Sequence, residues 1–104
     1  MPSRTLTSRG RRLLDHHRLR GRAFPTPRYW ERLQQMLVEE AEKRGRTPPP
    51  EMLVVGLDSD PTDADRMERL DEQVAWADHN RLLHRIQMFF DSMPVSGWVR
   101  LDGR

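Results

Sequence analysis

Arg9, Arg11, Arg12, Arg18, Arg20 and Arg22 crowd the stretch SRGRRLLDHHRLRGR, in which Asp15 is the only acid and His16 and His17 stand side by side. Guanidinium groups stay charged and donate in a planar fork, so such a cluster suits carboxylate or phosphate surfaces. Imidazoles next to an aspartate can ligate a metal or carry a proton. Three chemistries are open on residue type alone: anion binding, metal binding and acid–base catalysis.

The metal and catalytic readings fail on spacing. Asp15-His16-His17 resembles, over three residues, the signature of the DHH phosphoesterases. That family needs further aspartate motifs on a much longer chain, and none is present. Asp58-Ser59-Asp60-Pro61-Thr62-Asp63 resembles the opening of a calcium loop. An EF-hand requires glycine at its sixth position and glutamate at its twelfth, where this chain has Asp63 and Arg69. His79 and His84 are five apart and diverge on a helix, so they cannot form the i,i+4 pair of a helical zinc site. The tripeptide Asp78-His79-Asn80 resembles part of an HNH nuclease motif, but helical periodicity approaches it from both sides and makes it a cap or a kink. No nucleophile elbow or glycine-rich phosphate loop occurs. The expected sites are therefore no catalytic residue, no metal and no cofactor.

Anion binding survives, and the charge distribution supports it. The net charge of the 104 residues is +2, but residues 1–32 hold nine arginines against Asp15 and Glu31, a balance of +7. The remainder holds nine bases against fourteen acids, a balance of −5. Lys43 is the only lysine. Arginine has GC-rich codons and lysine only A-rich ones, so a GC-rich bacterial genome explains that ratio simply. Cysteine is absent, which excludes disulfides and thiolate chemistry and is compatible with a reducing cytoplasm. No apolar run is long enough to span a bilayer. Arg11-Arg12-Leu13-Leu14 lacks the apolar stretch that a twin-arginine leader requires.

The elements that must position these residues follow from periodicity. Over residues 1–24 the leucines do not repeat at three and four, and Gly10 and Gly21 interrupt, so this segment reads as a flexible arginine-rich arm separable from the fold, with a short helix over Arg11–Arg20 able to firm up on a partner. Residues 25–104 read as a single small globular domain. Thr26-Pro27 starts a helix over 27–44 that Gly45 ends. Trp30, Leu33, Leu37 and Ala41 form its apolar stripe, and Glu39–Lys43 and Glu40–Arg44 pair across its turns. Residues 52–57 read as a short buried strand. Asp60-Pro61 opens a helix over 61–79 with Met67, Leu70, Val74 and Ala77 inward. The stripe then slips phase, so that residues 80–93 form a kinked continuation or a further helix capped by Asn80. Gly97 to Leu101 alternate as an edge strand.

The expected fold is thus α+β and mostly helical: two or three helices (27–44, 61–79, 80–93) with short strands near 52–57 and 97–101. The core should run through Trp30, Leu33, Leu37, Val74, Ile86 and Phe90. The expected function is a non-enzymatic, cytoplasmic bacterial binding protein, a regulator or inhibitor acting through a protein partner. The alternative is a nucleic-acid-binding accessory protein using the basic arm, and self-association is a further possibility. The expected binding residues are Arg9, Arg11, Arg12, Arg18, Arg20 and Arg22, with Trp98 as an aromatic on the edge strand.

Overall fold

A computed structural model describes residues 6–49 and 62–100. Helix α1 (Ser8–Arg18) leads into strand β1 (Arg22–Pro25) and helix α2 (Pro27–Arg44). Helix α3 (Asp63–His79), helix α4 (Leu83–Ser92), a 3₁₀ turn (Val95–Gly97) and strand β2 (Trp98–Arg100) follow. The mostly helical α+β expectation holds. The expected strand over 52–57 lies outside the described residues.

The flexible-arm expectation is corrected over residues 6–24, because Ser8–Arg18 form a helix whose inner face belongs to the core. Thr7 caps it, its side-chain oxygen accepting from the Gly10 amide at 3.1 Å. Gly10, Leu14 and His17 are buried at helical spacing, with Leu6 and Leu13 packed beside them. Gly10 is a contact residue and breaks nothing: a Cβ there would lie 2.9 Å from Leu6 Cδ1 and 3.1 Å from Val74 Cγ1. A methyl there would crowd Val74 of α3, so glycine suits the close approach of the two helices. Gly21, at φ +79°, then turns the chain into β1 in a conformation that favours glycine.

β1 and β2 pair antiparallel, with Arg22 opposite Arg100, Phe24 opposite Val99 and Pro25 opposite Trp98, and a bulge between Arg22 and Phe24. The edge strand expected at 97–101 is thus present over 98–100, with β1 as its partner. The Thr26 amide donates to the Gly97 carbonyl at 2.9 Å and prolongs this link. The ribbon joins the segment that follows α1 to the last described residues of the chain.

α2 runs between its expected limits, with Pro27 in the first turn and Gly45 at φ 63° in the C-cap. Trp30, Leu33, Leu37 and Ala41 are buried as their spacing predicts. The polar pairing is more concentrated than expected. Glu40 is buried at 5% exposure and takes Arg44 and Lys43 from its own helix and Arg85 of α4 at 3.0 Å. Glu39 instead accepts from Gln35 at 3.1 Å. The Arg44 hydrogen bond, followed by the nearby cations, holds the Glu40 carboxyl below its ordinary range.

α3 begins two residues later than Asp60-Pro61 suggested. Thr62 and Asp65 form a reciprocal capping box, which satisfies two terminal amides at once. Leu70, Val74 and Ala77 are fully buried, and the Trp76 indole donates to the Thr47 carbonyl at 3.0 Å. Asn80 ends α3: its amide side chain donates to the Trp76 carbonyl at 2.8 Å. It does not cap α4, which begins at Leu83 after Arg81 at φ 61° has turned the chain. Two helices, not one kinked helix, carry the phase slip.

The burial of α1 generates a direct test. Leu14 is 2% exposed and Leu19 is 87% exposed. We expect Leu14→Ala to cost about 2–5 kcal/mol in urea unfolding and Leu19→Ala less than about 0.5 kcal/mol. Equal, negligible costs would return α1 to the status of a loose arm.

Candidate functional site

The six clustered arginines separate once α1 is folded. Arg9, Arg11 and Arg12 are exposed on its outer face. Arg18 points back to α3, where its Nη2 donates to Asp71 Oδ1 at 2.9 Å and to the Met67 carbonyl at 3.3 Å. Arg20 is exposed but folds over the end of its own helix, its Nη1 donating to the His16 carbonyl at 2.8 Å. Arg22 is half-buried on β1, with Nη1 3.5 Å from His17 Nδ1. Arg18 and Arg22 therefore hold the fold together, and three arginines remain free for a partner.

Trp98 is not a surface anchor, which corrects its place among the binding residues. It is 5% exposed and belongs to the core cluster. Its indole stacks on the His17 ring at 4.9 Å between centroids and meets Phe90 edge-on at 5.0 Å. The pairing of β2 with β1 turns it inward, where a free edge strand would have exposed it.

Arg9 and Arg12, with Leu13, His16 and His17, form one wall of a groove of about 470 Å³. The other wall is the face of α4 that carries Leu83, His84, Gln87 and Asp91. The two helices run in the same direction. Thr7, at the start of α1, donates to Asp78 in the last turn of α3, just ahead of α4. His17, at the end of α1, contacts Phe90 near the end of α4, at 5.2 Å between rings. Arg9 thus shares an end of the groove with Leu83 and His84, while Asp91 lies near the other end. No side chain caps α4, and its first turn contains no acid. The amides at its first two positions have no intrahelical acceptor, and that end of the helix carries partial positive charge.

His17 closes the groove at the centre of the aromatic cluster and is 2% exposed. Burial pushes its pKa from 6.5 down to about 4, aided by His16, Arg22 and Arg20 and opposed by Asp91. The ring is neutral at pH 7. Arg22 can only donate, so Nδ1 is the acceptor and the ring proton sits on Nε2. That Nε2 is buried and has no hydrogen-bond partner among the described residues.

The groove presents the exposed Arg9 and Arg12 guanidiniums on one wall and the exposed Asp91 carboxylate on the other, while His17 Nε2 is shut off from it. Among the described residues, no three His, Cys, Asp or Glu side chains are grouped to hold a metal ion. Among the described residues, no helix is long and apolar enough to cross a membrane. Sequence reasoning found Arg9 and Arg12 but missed His17, His84, Gln87 and Asp91. The available signal was the spacing Leu6-Gly10-Leu13/Leu14-His17, which is helical once glycine and histidine count as inward positions. No protein-family model, curated protein or solved structure matches this chain.

Acid should unfold the protein through His17. Its folded-state pKa lies below the unfolded value of 6.5, so stability is full above about pH 6.5 and falls as pH drops toward 4. We expect the wild type to lose roughly 2–3 kcal/mol more than His17→Phe between pH 7 and pH 4.5, read from urea unfolding of both proteins. Parallel pH profiles for the two would remove the buried neutral imidazole from the account.

Proposed function

We propose that this protein is a small non-enzymatic binding protein, a regulator or inhibitor, that docks the exposed face of α1 on an acidic surface of a protein partner. The observation that supports this reading is the anchoring of α1. Leu14 and His17 are both 2% exposed, so Arg9, Arg11 and Arg12 stand on a fixed frame and not on a loose arm. Side chains presented by an ordered element lose less freedom on binding than those of a segment that must first fold. The face is short, since the eleven residues of α1 extend over about 16 Å. Asp15 is exposed on the same helix, and α3 behind it carries Asp63, Asp65 and Glu68 on its surface. A finite patch of carboxylates fits such a face, whereas a rod-like polyanion would run on to the acidic body. The preference for arginine over lysine and the lack of cysteine support assigning the protein to the reducing cytoplasm of a GC-rich bacterium.

Nucleic-acid binding is the second reading, and the folding of α1 favours it to this extent: a helix with a basic face now exists. Arg9, Arg12 and His16 follow one another at three and four residues along the groove.

The two readings diverge in a charge-reversal experiment. The variant Arg9→Glu/Arg11→Glu/Arg12→Glu should retain its helical circular dichroism and lose a protein partner that the wild type retains from its source cells, with nuclease treatment making no difference. On duplex DNA at physiological salt, the wild type should show only the weak non-specific range, about 10⁻⁴ M. A submicromolar DNA affinity that the triple variant abolishes, with a log K against log salt slope near −3 for three engaged arginines, would establish the second reading instead.

A further inference from the structure

Helix α1 meets the body of the protein along a seam with His17 near one end and a glycine just beyond it. Leu14 and His17 are buried in the seam, with Leu6 and Leu13 packed beside them. Thr7 crosses it to Asp78, and Arg18 crosses it to Asp71 and to the Met67 carbonyl. Gly21 then separates α1 from β1 at φ +79°. β1 has its own hold on the body, through its pairing with β2 and the Thr26–Gly97 hydrogen bond. A change in the Gly21 dihedral angles would therefore swing α1 and leave the ribbon in place.

The seam accepts His17 only as a neutral ring. A charged imidazole has two N–H donors and no acceptor. Nδ1 faces Arg22, itself a donor, and Nε2 has no partner among the described residues. The Trp98 face stacked on the ring attracts a cation, but it supplies no acceptor oxygen in place of water. The groups around the ring are mostly cations or imidazoles. His16 and Arg20 lie on its own segment, Arg22 on β1 and Arg100 opposite it on β2. On α4, Asp91 favours the charged ring and His84 lines the same groove, while Asp71 of α3 is taken up by Arg18. Burial, followed by His16 and Arg22, pushes the pKa of the ring from 6.5 to about 4. Departure of α1 would hydrate both ring nitrogens, and with them Arg18 Nε, a second buried donor of α1 without a partner among the described residues.

We propose that α1 is an acid-released element: protonation of His17 frees it from the body as a unit about Gly21, while the β1–β2 ribbon and helices α2, α3 and α4 stay packed. Arg9, Arg11 and Arg12 then lose the fixed frame that presents them, so acid switches that face off. This regulatory consequence rests on the reading of α1 as a docking face. The release itself is measured without a partner, so the two can fail separately.

The test is native-state amide hydrogen exchange of the full chain, read by NMR at pH 7 and pH 4.5 and corrected for intrinsic rates. Protection at residues 13–18 should fall roughly 50-fold between the two, the ratio imposed by a pKa of 6.5 in the released helix and about 4 in the docked one. At pH 4.5 these amides should exchange at least about tenfold faster than those of Leu37 and Val74, because α1 opens without the core. Equal protection in α1 and the core would overturn the proposal, since α1 would then leave only with the whole fold. In His17→Phe the protection of α1 should be the same at both pH values within about threefold, and a fall as large as the wild type's would remove His17 as the trigger. Asp71→Asn should keep the fall. Its loss in that variant would assign the acid response to the Arg18–Asp71 pair and overturn the proposal even where His17→Phe does not fold.

Discussion

The contact on which the rest of the structure depends is the placement of a neutral imidazole, His17, between Trp98 and Phe90. It stacks on the first at 4.9 Å and meets the second edge-on at 5.2 Å. One residue thereby joins the end of α1 to the end of α4 and to β2. The docking of α1 by this contact aims Arg9 and Arg12 along α4 and creates the groove. Arg18 can then reach Asp71, which ties the basic segment to the acidic body. The same burial that makes the contact excludes the charged ring, so the aromatic cluster and the acid sensitivity of the fold have one cause. The arginines near His17 act in the same direction, because a second positive charge among them is unfavourable.

Helices stabilised by their own amphipathic stripes were legible in the sequence. Trp30, Leu33, Leu37, Val74, Ile86 and Phe90 are apolar at helical spacing, and all are buried. A short helix over Arg11–Arg20 could be read as an option for the arm, but its packing into the core was not legible, because two inward positions of α1 are occupied by residue types that pattern reading assigns elsewhere. Gly10 counts as a helix breaker, yet here it is a buried inward position where a Cβ would crowd Val74 of α3. His17 counts as polar, yet its ring serves as an aromatic core member with a masked charge. Tertiary context overrode local propensity at both. The partner of β2 was equally inaccessible, since the β1–β2 ribbon joins segments some 75 residues apart, with Arg22 opposite Arg100. With that pairing unknown, Trp98 read as an exposed aromatic. Among the arginines, sequence could identify the cluster but not its division, which depends on which guanidiniums find Asp71, the His16 carbonyl or His17 within reach.

Charge is handled in two ways within the described residues. Glu40 is nearly inaccessible and draws three cations from two helices, a buried hub that joins α2 to α4 through Arg85. Removal of its carboxylate would leave three positive groups facing one another, so this cluster resists piecemeal change. The outer face of α1 is the reverse case. Its free arginines have no carboxylate within ion-pair distance among the described residues, and Asp15 on the same helix makes none of the ion pairs seen there. Exposed like charges on one short helix raise the energy of the free protein slightly and are relieved by a counter-surface.

The fixed imidazole of His17 links folding to the presentation of α1. Arg22 dictates the tautomer from the β1 side, and β1 is itself held by β2 and thus by Trp98, which stacks on the same ring. The donor that faces no protein acceptor is therefore fixed by the fold, not by rotation of a loose side chain. Any partner that reads the outer face of α1 would meet arginines held in place by Leu14 and His17, so a substitution that loosens either would weaken that partner along with the fold.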